Sequence, residues 1–139
     1  MELVQVAESS AVMRIAFTVG RRLPMMLGAM GRVVAARGDW SQGELRAGFD
    51  QIPWSSAPAY DAWLAEVDET RRTGVGVDRG HVNAGVLGVA VPVEPTGPLT
   101  HIIAAAMFVT DQTPDIASIT ERLRGVAATA APTDGDRHA

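Results

Sequence analysis

The chain has 139 residues, 47% hydrophobic and 20% charged, the composition of an ordinary globular protein with one domain and one core. A net charge of −4, with all 12 basic residues Arg, argues against a nucleic-acid-binding face, and the lack of cysteine excludes disulfides, zinc ribbons and thiol nucleophiles. No run approaches the ~20 apolar residues of a membrane span and no basic-then-apolar leader opens the chain, so it is read as cytoplasmic with no membrane partner.

In chain order, 'MELVQVAESS' begins with the β-favouring Leu3, Val4 and Val6 and stops at Glu8-Ser9-Ser10. 'VMRIAFTV' alternates Met13, Ile15 and Phe17 against Arg14, Ala16 and Thr18, the period of a half-buried strand that Gly20 ends. After Pro24, Met25, Met26, Met30, Val33 and Val34 recur at helical spacing, and Gly38-Asp39 closes the helix. Gly28 and Gly31 sit inside that expected helix, where each costs about 1 kcal/mol relative to Ala. Such glycines either admit a closely packed neighbour or leave room beside the backbone for a ligand. Ser41 and Glu44 are spaced as a capping box for a second helix.

'IPWSSAP' reads as a loop. The following helix carries Tyr60, Trp63, Leu64 and Val67 on one face, Asp61 near its start, Arg71 and Arg72 near its end, and Gly74 as its stop. 'VGVDRGHVNAG' reads as a short strand and a loop. 'VLGVAVPV' and 'HIIAAAMFV' are strand-like runs joined by the turn Pro95-Thr96-Gly97-Pro98. 'TPDIASITERLRGVAATAA' is a last helix, with Thr113 expected as N-cap, Pro114 at its first position and Asp115 in its first turn. 'PTDGDRHA', 132–139, is expected to be a disordered tail. Strands and helices are segregated along the chain, which predicts an α+β fold: an antiparallel sheet with helices packed on it.

Three segments in this order resemble the C-terminal effector-binding domain of the IclR family of bacterial transcriptional regulators: 'ESSAVMRIAFTVGRRLPMMLGAMGRVVAA', 'TGVGVDRGHVNAGVLGVAVPV' and 'PTGPLTHIIAAAMFV'. The family pattern has a Gly-Arg-x-x-Pro turn and a small-residue helix ending in Gly-Lys-Ala, then a strand ending in Pro-Val, then a Gly turn and a strand entering the effector pocket. The resemblance implies a fold related to GAF and PAS sensors over 1–131, with a small-molecule pocket between one sheet face and the helices. It implies a homo-oligomer, dimer or tetramer, and DNA contact only through a helix-turn-helix domain that is absent from this chain. It also makes the domain look shortened at its N-terminus, by one strand before 'ELVQVAE'.

Carried over by position, the resemblance places effector-binding residues at Met26, Gly28, Ala29, Met30, Asp78, Val86, Gly88, Met107 and Val109. The first turn of a helix has unpaired N–H donors that suit a carboxylate. Asp78 either accepts from a ligand hydroxyl or amine, or pairs in a loop with Arg79 or Arg72. Gly88, Met107 and Val109 stand where relatives that bind small keto acids carry Cys and Ser, an alignment that allows for an insertion in 'TGPLTH'. A pocket without those polar partners fits an aromatic or aliphatic acid, or another mostly apolar metabolite, better than a small doubly charged one. The plain alternative is that Met107 and Val109 are core. His81 and the Arg21-Arg22 pair read as surface residues. No metal-spaced His cluster or nucleophile–base pair speaks for an enzyme, and no cofactor is expected. A dimerisation module that no longer binds an effector is the other reading.

Overall fold

A computed structural model describes residues 1, 2, 20 and 22–130 of the chain. The two strands expected over 3–18, the Arg21 half of the arginine pair and the expected tail lie outside the described residues.

Helix α1 spans Gly28–Arg37, α2 Gln42–Asp50 and α3 Tyr60–Thr73; strands β1 (Gly76–Arg79), β2 (Val86–Pro92) and β3 (Ile102–Phe108) follow, and α4 is Ile116–Ala130. The sheet is antiparallel in the order β1-β2-β3, with Asp78 opposite Gly88 and Gly88 opposite Ala106. This is the expected α+β architecture. Among the described residues no helix is long and apolar enough to cross a membrane.

Local chemistry sets the ends of the helices. Ser41 and Glu44 close the expected capping box on α2, each side chain bonded to the other's backbone N–H. Gly74 ends α3 in the left-handed conformation (φ 78°), its N–H donating to the Thr70 carbonyl. Two ends differ from the reading of the sequence. On α4 the cap is Asp115, whose carboxylate accepts from the Ser118 N–H at 2.7 Å. The Thr113 hydroxyl instead accepts from the Thr110 N–H at 2.7 Å and so closes the loop before the helix. Helix α1 starts three residues later than Met25, because Met25 and Met26 form a turn and Gly28 takes φ 62°.

Alternation along β2 sends Leu87, Val89 and Val91 to one face, where they and Val93, just past the strand, pack on Ile119, Leu123 and Ala127 of α4. Ala90 faces the other way, against Ala29 and Val33 of α1, with Met30, Leu99 and Ile102 beside them. Helix α1 also closes a second layer with α2 and α3, an aromatic cluster of Phe49, Trp54, Tyr60 and Trp63 with ring centroids 5.2–5.5 Å from Phe49. One helix is therefore shared between the sheet and the aromatic layer, and its first turn lies where the two meet.

Candidate functional site

Leu27 precedes α1 and has no side-chain oxygen to cap it, and no side chain caps the helix. The first α-helical bond runs from the Gly31 N–H to the Leu27 carbonyl at 2.7 Å, so the amides of Gly28, Ala29 and Met30 precede the helical ladder. A β-carbon on Gly31 would lie 2.5 Å from Met26 Cα and closer still to the Met26 carbonyl. The space at Gly31 is thus taken by the chain's own approach to the helix. Gly28 serves differently: its positive φ turns the chain into α1, at a conformation where only glycine escapes a steric penalty.

Two further glycines let this first turn sit on the sheet. A β-carbon on Gly76 would meet the Ala29 carbonyl carbon at 3.1 Å, and one on Gly88 would lie 3.3 Å from Ala29 Cβ and 3.8 Å from Asp78 Cβ. Asp78 is only 5% exposed. Its Oδ2 accepts from the Val82 N–H at 3.3 Å, and Val82 in turn lies over Gly28, 3.9 Å from where a β-carbon would be.

The cation beside Asp78 is Arg32, not Arg79 or Arg72. Arg32 Nη1 donates one of its two N–H groups to the Gly28 carbonyl, 3.0 Å away, and stands 3.2 Å from Asp78 Oδ1 as an ion pair without hydrogen-bond geometry. Asp78 Oδ1 is buried beside this positive charge, with no hydrogen bond among the described residues. The remaining Arg32 donors, Nε and Nη2, both reach Glu66 Oε2, at 2.9 and 2.7 Å. Arg72 pairs with Glu69 on the surface of α3, where that bond, with the guanidinium charge adding to it, holds the Glu69 carboxyl below the usual range. Arg79 points to the opposite sheet face from Asp78, its neighbour in β1, and is exposed. Among the described residues no group of acidic and His side chains is placed to hold a metal ion.

The family model for the C-terminal domain of the bacterial transcriptional regulator IclR matches residues 1–96. The chain belongs to the IclR family. Solved structures agree on the fold of this IclR domain. An IclR regulator from Alicyclobacillus acidocaldarius superposes with a TM-score of 0.74 at 22% identity, covering 92% of this chain and 53% of that one. An IclR homologue from Microbacterium hydrocarbonoxydans, complexed with 4-hydroxybenzoate, gives 0.65 at 17% identity over 88% and 50%. The inducer-binding domain of a PobR double mutant from Acinetobacter, complexed with 3-hydroxybenzoic acid, gives 0.61 at 18% identity over 83% and 69%. The chain spans about half the length of the first two of these proteins. Comparison with curated proteins yields no match. The matched family is one of transcriptional regulators, not of enzymes.

Within this IclR domain, Gly28, Ala29, Asp78 and Gly88 come together, and Val86 lies on the same sheet face two residues along β2. Met30 lines a neighbouring cavity of about 540 Å³ with Met25, Val34, Trp40, Leu99 and Ile102. Met26 belongs to the aromatic layer, buried with Phe49 and Trp63, and its sulfur packs on Gly48. Met107 does not face Ala29. Its partner across the ladder is Leu87, so it lies on the α4 side of the sheet, packed in that cluster. Val109 is past the end of β3 and 60% exposed, its N–H donating to the Gly85 carbonyl at 2.8 Å. On β3 the residues that share a face with Gly88 are Ile102, Ala104, Ala106 and Phe108, and the last two lie one position from Met107 and Val109, which the sequence placed there. His81 packs its ring edge-on to Trp54 and bonds through Nδ1 to the Ser56 carbonyl at 3.0 Å.

Arg32 and the alanines of β3 were not among the residues the sequence singled out. A lone charge in the apolar run 'MGRVVAA' is a signal for Arg32. For the alanines there was none, because 'IIAAAMF' is apolar at every position and its two faces look alike.

Proposed function

We propose that this domain senses an acid with a mostly apolar, aromatic or aliphatic body, held between the first turn of α1 and the sheet. The carboxylate takes the amides of Gly28, Ala29 and Met30, where the helix dipole favours an anion. The ring lies over the exposed Ala104 and Ala106, beside Gly88 where Ala29 packs, and a hydroxyl on it donates to Asp78 Oδ1. The observation that carries this reading is the unused buried acceptor of Asp78 beside a sheet face floored by glycine and alanine. The two hydroxybenzoic acids bound by the Microbacterium and Acinetobacter proteins support the ligand class. DNA binding and transcriptional control are assigned, in the same proposal, to the whole regulator and to a helix-turn-helix domain outside these 139 residues.

Calorimetric titration with 4-hydroxybenzoate, benzoate, cyclohexanecarboxylate and glyoxylate tests the reading. Binding of the first three and not of glyoxylate is expected. Ala106→Leu should abolish that binding without lowering the melting temperature, because Ala106 is exposed and a larger side chain there meets ligand space and not core. Ala29 is a poorer choice, since it is buried between Gly76 and Gly88 and a larger residue there would disturb folding. A parent that binds none of the acids, as a pure dimerisation module would, contradicts the proposal. So does an Ala106→Leu protein that binds them unchanged.

A further inference from the structure

We propose that Arg32 is a positioning residue of the effector site, setting the separation between its anion-binding end and its hydroxyl-binding end; this rests on the reading above. Arg32 is 1% exposed and reaches Gly28 of its own helix, Glu66 of α3 and Asp78 of β1. Its guanidinium is a rigid planar fork, so two bonds to one partner fix the plane for the third. Nε and Nη2 are both committed to Glu66 on α3. That leaves Nη1 held between the Gly28 carbonyl, at 3.0 Å, and Asp78 Oδ1, at 3.2 Å. Gly28 opens the helix turn that offers amides to a carboxylate, and Asp78 offers the acceptor for a hydroxyl. One side chain therefore touches both halves of the site without itself facing the ligand.

The consequence is selectivity. With Asp78 held against the start of α1, an acid gains from its hydroxyl only when that hydroxyl lies at the right distance from the carboxylate. A lysine at this position would keep the positive charge and lose the fork, so Asp78 would no longer be tied to α1 through a fixed plane. The bonds to Glu66 stiffen the arrangement from outside: Glu66 is 37% exposed, so removing its charge loosens Arg32 without opening the core.

The test compares the affinities of 4-hydroxybenzoate and benzoate in the parent, in Arg32→Lys and in Glu66→Gln. A hydrogen bond to a buried carboxylate makes the parent prefer the hydroxylated acid by about tenfold or more. Arg32→Lys is expected to hold benzoate within about threefold of the parent while the preference falls to near unity. Glu66→Gln should move the ratio in the same direction by a smaller factor. A purely structural role would weaken both acids alike and leave the ratio intact, and that result overturns the proposal. An unchanged ratio in Glu66→Gln overturns it where Arg32→Lys does not fold, as judged by circular dichroism. A parent that binds neither acid removes the effector reading and this role together, whereas binding by the parent with its ratio kept in both variants removes only the role of Arg32.

Discussion

Replacing Gly31 with alanine should destabilise the domain even though the position is in a helix. Alanine is favoured over glycine in a helix by up to about 1 kcal/mol. Against that, the added methyl would lie 2.5 Å from Met26 Cα and closer to the Met26 carbonyl, well inside van der Waals contact. The neighbour is backbone, anchored by the buried Met26 side chain on one side and the Leu27–Gly31 hydrogen bond on the other, so it yields little. Overpacking of this kind costs about 1–3 kcal/mol, and more where the neighbour cannot rotate away. The net loss is about 2 kcal/mol, or about 6–8 °C in melting temperature for a domain of this size. Gly125 is the matched control. It lies in α4 with nothing within 4 Å of the place a methyl would occupy, so Gly125→Ala should stabilise by up to about 1 kcal/mol. Urea unfolding followed by the fluorescence of Trp40, Trp54 and Trp63 reads both. A Gly31→Ala protein as stable as Gly125→Ala would refute the packing argument and return Gly31 to the set of positions that leave room for a ligand.

Asp115 makes stability depend on acid. The Ser118 backbone N–H, and then its hydroxyl, hold the Asp115 carboxyl below the usual range. A lowered folded-state value contributes stability above the unfolded value, about 3.9, that is lost as pH falls through the folded one. Asp115→Asn keeps a capping oxygen and cannot titrate, so the parent's advantage in melting temperature should be constant above about pH 5 and shrink below about pH 4; an advantage unchanged to pH 2 would contradict this. Self-association is expected as part of the proposed function, since Phe108 and Val109 expose 40% and 60% of their surface at the end of β3. Sedimentation velocity should give a dimer or tetramer that Val109→Asp weakens, and a 14.7 kDa species at every concentration would contradict it.

Much of the fold could be read from residues whose local chemistry allows one outcome. Ser41 and Glu44 can cap only a helix start, Gly74 can stop α3 because it tolerates a positive φ, and the Pro95–Pro98 turn forces a hairpin between β2 and β3. The start of α1 was harder, because Met25 and Met26 continue the helical spacing while the actual first residue, Gly28, owes its place to backbone conformation. The cap of α4 was missed by two residues, as Thr113 and Asp115 are both good capping types and only the loop's own hydrogen bonds separate them. In the candidate site, family position singles out Asp78, Gly88 and the first turn of α1, and the structure brings these residues together. The facing strand was displaced by one residue, which exchanges the two faces of a sheet, so Met107 belongs with α4 and Ala106 with Gly88. Arg32 escaped notice because its partners, Glu66 and Asp78, are 34 and 46 residues away in sequence and no local pattern pairs them.

The most direct measurement of the central claim is a nuclear magnetic resonance titration of the ¹⁵N-labelled chain with 4-hydroxybenzoate. Saturable shifts should be largest at the amides of Gly28, Ala29 and Met30 and at Asp78, Gly88 and Ala106, with Leu123 and Ala127 on the α4 side unmoved. Shifts confined to Trp40, Leu99 and His101 around the neighbouring cavity, or no saturable shift at all, would contradict the account.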